Sequence, residues 1–171
     1  MKPDLPMAGP YEIVLVPEPS WGRSLADLAY RKGTGFRGNW NRITKRELAR
    51  AGGKCEYCGA ADGRLVVHEE WEFDDETLTQ RLKGYKVSCL DCNLIVHAGR
   101  ASISGYLDDA KEHFEKVTGL SINALIAAVL SATAEWKRRS RKKWRVDVSS
   151  EAFAQGFEEM VNQGQAKLWE P

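Results

Sequence analysis

Cys89-Leu90-Asp91-Cys92-Asn93-Leu94-Ile95-Val96-His97 decides how this chain is read. Two thiols spaced by two residues can grip one ion from a single tight turn, and a helical run ending in histidine follows them at once. Working backwards, Cys55-Glu56-Tyr57-Cys58 supplies a second such pair, and residues 59–88 lie between the pairs. Cys55, Cys58, Cys89 and Cys92 form a four-thiolate set for which zinc is the best-fitting ion, closed and therefore structural. Within the interval, Arg64-Leu65-Val66-Val67-His68 and Gly84-Tyr85-Lys86-Val87-Ser88 are β-like runs. They predict an antiparallel hairpin whose base the metal clamps to the helix after Cys92. Asn93 and His97 are four apart, so both project from one helix face, toward the strand that ends in His68.

The chain has 171 residues, 43% of them hydrophobic, and a formal net charge of +1. That length and apolar content predict a buried core, and the near-zero charge means that affinity for a polyanion must come from a local basic surface. No apolar run approaches the roughly 18–20 residues of a membrane span, and Met1-Lys2-Pro3-Asp4 opens no secretory signal. A soluble, cytoplasmic protein is the expectation, and a reducing compartment favours metal over disulfides at the four cysteines.

The first twenty residues hold five prolines and the run Glu12-Ile13-Val14-Leu15-Val16, which predicts one edge strand in an irregular arm. Helical spacing runs from Trp21 to Tyr30, and the glycine-rich residues 31–40 predict a loop. Thr44 and Glu47 form a capping box that predicts a short helix leading into Gly52-Gly53. After the second cysteine pair, Asp91 to Gly99 predicts a helix, and another starts at Ser102 or Ser104 and runs to Thr118-Gly119. Ser121 caps the clearest helix, with Ile122, Leu125, Ile126, Val129, Leu130, Thr133 and Trp136 on one apolar face. Trp144 to Val148 alternates like a strand, and a last helix runs from Ser149 or Ser150 to about Gln163. The expected class is α+β, with an arm and lead-in helix (1–50), a zinc-stapled core (51–100) and a C-terminal helical extension (101–171) packed as one domain with the core.

Two Cys-x-x-Cys pairs, an apolar strand ending in histidine, a second strand and then Asn-x-x-x-His together resemble the ββα-metal core of HNH nucleases over about Lys54 to Arg100. A weaker resemblance extends through His68-Glu69-Glu70-Trp71-Glu72-Phe73-Asp74-Asp75 and the late Trp136-Lys137-Arg138-Arg139-Ser140, to a little-characterised bacterial group of HNH endonucleases. The resemblance implies that His68 is the general base that activates water, and that Asn93 and His97 hold one divalent ion, commonly magnesium or manganese. Position 67 departs from the pattern: the family places a metal-binding aspartate or histidine there, and this chain has Val67. Glu69, Glu70 or an acid among Glu72, Asp74 and Asp75 is the candidate replacement; alternatively the ion binds weakly or cleavage is lost.

A histidine with pKa about 6.5 is neutral often enough at pH 7 to take a proton from water. His113 has no ligand-like neighbours in sequence and is expected on the surface or in the core. Seven basic residues in nine, Lys137 to Arg145, predict the nucleic-acid surface, with Arg138, Arg139, Arg141, Lys142, Lys143 and Arg145 tracking phosphates. A second basic segment leads from Arg31 through Arg42 and Arg50 to Lys54, so that the two flank the expected site. The acid-rich Glu69 to Glu76 reads as a solvated loop. The expected function is metal-dependent cleavage of DNA, with RNA open as a partner. The alternative is a zinc-stabilised DNA- or protein-binding module that has lost cleavage. A redox protein is a poor third reading, because no βαβ pattern surrounds either cysteine pair.

Overall fold

The computed structural model describes residues 9–20, 24–31, 36–147 and 149–151. Within them the chain is a mixed α+β structure built on a hairpin, β1 (Leu65–Asp74) and β2 (Thr79–Cys89), followed at once by α3 (Leu90–Val96). Before the hairpin come α1 (Leu25–Tyr30) and α2 (Arg37–Arg50); after α3 come α4 (Ala98–Ser104), α5 (Leu107–Thr118), α6 (Ile122–Arg139) and the short β3 (Arg145–Asp147). β1 and β2 are antiparallel, and β3 lies parallel to β2 through Gln80 opposite Val146. No single helix among the described residues is long and apolar enough to cross a membrane.

Alternation along the strands sorts the side chains into two populations. His68 lies opposite Lys86 and Glu70 opposite Gly84, while Val67 lies opposite Val87 and Glu69 opposite Tyr85. A bulge between Glu70 and Trp71 leaves Lys83 as the extra residue on β2 and keeps Trp71 and Leu82 on the same side as Glu69. That side packs on α1 and α2 as an aromatic cluster of Leu25, Leu28, Trp40, Ile43, Trp71, Phe73, Leu82, Tyr85 and Trp144, with Val67 against it. A second cluster gathers Cys55, Cys89 and Cys92 with Tyr11, Ile95, Phe114 and Leu125. Residues 11–16 form no strand beyond a single bridge at Tyr11. They run as an extended arm between the clusters, with Tyr11, Ile13 and Leu15 in the second and Val14 and Val16 against the first. Gly99 admits that arm, since a Cβ there would come within 3.1 Å of Leu15 Cδ2.

Several expected boundaries shift for physical reasons. α2 begins at Arg37, within the expected loop, and Thr44 sits inside it rather than capping it. Trp40, Ile43 and Glu47 are buried at helical spacing, and that burial outweighs the poor propensity of Gly38 and Asn39. The acid-rich stretch is strand rather than loop up to Asp74, because Glu69, Trp71 and Phe73 alternate inward. The helix after the second cysteine pair breaks at His97, whose φ of −100° and ψ of 34° join α3 to α4. α5 ends at Gly119 in the left-handed region, as expected, with φ 67°. In α6 the buried stripe is Leu125, Ala128 and Ala132, and Ile126 and Leu130, expected inside, are exposed. Trp144 is wholly buried and precedes the strand rather than starting it. The expected last helix lies outside the described residues except at its start, and residues 21–23 and 32–35 lie outside them as well.

Candidate functional site

The four cysteines converge, all of their sulfur atoms lying within 4.8 Å of one another. Cys58 Sγ and Cys89 Sγ are 3.7 Å apart, close to the edge of about 3.8 Å that a tetrahedron of metal–sulfur bonds near 2.3 Å would have. Each pair is shaped by its own backbone. In the first, Cys55 N–H donates to the Ala60 carbonyl (2.8 Å) and Gly59 N–H to the Cys55 carbonyl (2.9 Å), closing the loop. In the second, Cys89 caps α3 and its Sγ accepts from Cys92 N–H at 3.4 Å. Burial works against the Cys55 thiolate, yet the N–H groups of Cys58, Cys89 and Tyr57 outweigh it and bring the thiol down to about 7. Burial pushes the Cys92 thiol up. The cluster can therefore hold a structural metal ion such as zinc, and its donor chemistry fits that ion.

The first pair is moored to the hairpin. Glu56 N–H donates to the Val87 carbonyl (2.9 Å), and the Glu56 carboxylate accepts from Val87 N–H (2.7 Å). Arg50, at the end of α2, donates to both Glu56 oxygens at 2.8 and 2.7 Å and to buried Glu47 at 2.6 Å. Arg50 holds the Glu56 carboxyl below its ordinary value, against the opposing effect of burial.

Beside the cluster the imidazoles of His68 and His97 meet edge to face, with centroids 4.7 Å apart and an interplanar angle of 75°. The hairpin brings one and the helix break the other. Burial, then His97 and Lys86, push His68 down to about 3, and burial followed by Arg100 lowers His97. Both rings are thus neutral at physiological pH. Lys86, directly across β2 from His68, is 3.3 Å from Glu70 Oε1, and its ammonium stands 5.0 Å from the Tyr57 ring centroid. Tyr57 in turn stacks on Tyr11 at 4.9 Å. Tyr57 thereby joins the metal loop to the histidine face, a role that nothing in its sequence neighbourhood signals.

The other expected site residues divide. Asn93 lies one turn before His97, and its carbonyl accepts His97 N–H at 3.0 Å. Glu69 is not brought to the histidines. Its carboxylate accepts from Ala26 N–H (2.8 Å), Leu25 N–H (3.2 Å) and Trp71 Nε1–H (2.9 Å), sealing the start of α1 on the opposite side of the hairpin. Among the described residues, no third histidine, cysteine, aspartate or glutamate joins His68 and His97 within ligating range. A catalytic divalent ion would have only one imidazole and the Asn93 amide from this chain, so the fit to a magnesium-type site, built on carboxylates, is incomplete.

The basic segment is largely engaged with acids. Asp75, at the hairpin tip, accepts from Arg138 Nη1 and Nη2 at 2.7 and 2.6 Å and from Arg139 Nη2 at 3.2 Å, and Lys142 Nζ is 3.5 Å away. Arg141, Lys143 and Arg145 are exposed. Asp75 lies seven positions beyond His68, just past the end of β1, roughly 23 Å at about 3.3 Å per residue. The α2 basic residues lie across the sheet from His68, because α2 covers the Glu69 side. The two basic segments therefore do not flank the histidines symmetrically, and Lys86 and Arg100 are the cations that act on them. His113, expected to be a bystander, has Nε2 3.2 Å from Cys92 Sγ.

No protein-family model matches the chain, and no curated protein or solved structure is significantly similar to it. The fold and the cluster define an α+β protein with a four-cysteine site able to hold a structural metal ion.

Proposed function

We propose that the chain is a metal-assisted endonuclease of the HNH type that hydrolyses DNA phosphodiester bonds, with His68 as general base. The observation that carries this reading is the edge-to-face pairing of His68 and His97, held on a hairpin and a helix that the cysteine cluster joins at their base. Neutral His68 offers a lone pair for the proton of an attacking water, and the negative charge of an arriving phosphate would raise the basicity that burial has lowered. Lys86 acts electrostatically on His68 and Arg100 on His97, positive charge suited to a phosphate that must approach two uncharged rings. A divalent ion held by His97 and Asn93 would offset negative charge on the phosphate and the leaving oxygen.

That donor set has consequences for ion choice. An imidazole ligand with no carboxylate beside it favours borderline ions over hard ones, so nickel or cobalt should support faster cleavage than magnesium. Supercoiled plasmid, incubated with zinc-loaded protein and each ion in turn, measures this directly through nicked and linear products. Equal rates with magnesium would refute the inferred donor set. A second reading, a zinc-stabilised binding module that does not cut, is favoured by Val67, which packs toward the aromatic cluster where the family pattern has a ligand. Plasmid that shifts on a gel but stays supercoiled with every ion would establish that reading instead.

A further inference from the structure

The metal site has more donors within reach than a tetrahedral ion can use. His113 projects from α5 toward α3, and its Nε2 lies 3.2 Å from Cys92 Sγ. Cys89, Asp91 and His113 also place their ligand atoms within 4.8 Å of one another, a set that overlaps the four cysteines through Cys89. α5 is anchored on either side of His113 by fully buried Ala110 and Phe114, so the imidazole is held against the cluster rather than swinging free. Cys92 is itself fully buried, and its sulfur has a second neighbour, Tyr11 Oη at 3.2 Å. No other cysteine has an imidazole at this distance among the described residues.

We propose that His113 is a reserve ligand for the metal, positioned to replace Cys92 so that a zinc-like ion keeps four donors when that thiolate is lost. While Cys92 is bound, His113 Nε2–H donates to its sulfur, an outer contact of the kind that orients a thiolate ligand. In the exchange the metal–Sγ bond to Cys92 breaks and a metal–Nε2 bond forms, while the Nε2 proton passes along the existing contact to the departing sulfur and Nδ1 takes one proton from solvent, so the new ligand is neutral imidazole. One proton is taken up from solvent in all, and the metal with its donors becomes one unit less negative. Tyr11 then remains beside the released thiol as a hydrogen-bond partner. Imidazole is as acceptable to zinc as thiolate, so the three-cysteine, one-histidine set is chemically sound.

The reserve makes the four cysteines unequal, and that inequality is measurable. Elemental analysis of the purified full chain should find one zinc in the wild type, in Cys92→Ala and in His113→Ala, but none in Cys58→Ala or in the double variant Cys92→Ala/His113→Ala. With cobalt in place of zinc, Cys92→Ala should retain tetrahedral bands while losing about a quarter of the thiolate-to-metal absorption, since three of four thiolates remain. Zinc absent from Cys92→Ala, even when it is refolded with excess zinc, would overturn the proposal. So would equal zinc in Cys92→Ala and the double variant. A wild type without zinc would overturn the cysteine site and His113's role together.

Discussion

Serine in place of Cys55, or removal of the metal by a chelator, is expected to abolish cooperative unfolding of the module. Cys55, Cys89 and Cys92 are members of the second core cluster as well as candidate ligands, and they join the first loop, the end of β2 and the start of α3. Without an ion, buried sulfurs converge with nothing to bind them, and the apparent free energy of a structural zinc, on the order of 10 kcal/mol, is as large as the whole net stability of a typical domain. Calorimetry of the chelated protein should show no sharp transition, and re-addition of zinc should restore one. A chelated chain that melts as the loaded one does would show that the cysteines pack as ordinary thiols.

Alanine at Glu69 is expected to lower the melting temperature by roughly 10–15 °C. Three buried donors, Leu25 N–H, Ala26 N–H and Trp71 Nε1–H, would lose their acceptor, at about 1–3 kcal/mol each, with partial relief from water. The acid also imposes a pH dependence. Burial pushes its carboxyl up to about 7 from an ordinary 4.5, against the pull of its three donors. Between those values the folded chain keeps a proton that the unfolded chain has released. Stability from this group is therefore fully present below pH 4.5 and is lost as pH rises through 7, on the order of 3 kcal/mol in all. In Glu69→Gln that loss should vanish, so denaturant titrations should show the wild type losing roughly 2–3 kcal/mol relative to the variant as pH is raised from 5 to 8. A constant gap across that range would place the Glu69 carboxyl at its ordinary value.

How far the sequence discloses this arrangement depends on how local each cause is. The strand, strand, helix order was legible because the cysteine pairs bracket two apolar runs and the second pair caps a helix within its own four residues. His68 and His97 could be brought together on paper for the same reason: spacing along one strand and one helix was enough. Glu69 was misread because acids dominate residues 69–76, and only the alternation of Glu69, Trp71 and Phe73 hinted that one of them points inward. The start of α2 was hidden because burial of Trp40 and Ile43 against the hairpin, a tertiary effect, decides it. The engagement of Arg138 and Arg139 by Asp75 spans the whole length between hairpin tip and α6, and the contact of His113 with Cys92 needs α5 to pack on α3. No local pattern carries either pairing.

Paired measurement of zinc content and plasmid cleavage, for wild type and His68→Ala in one preparation, isolates the part that His68 plays in breaking the phosphodiester bond. Loss of a general base should slow cleavage by about 10²–10⁴-fold, with one zinc per chain retained, because His68 lies on the hairpin face opposite Glu69 and Trp71, which pack on the aromatic cluster. Cleavage by a zinc-loaded His68→Ala at the wild-type rate would contradict the account, since the ring that the hairpin brings against His97 would then have no part in breaking the phosphodiester bond.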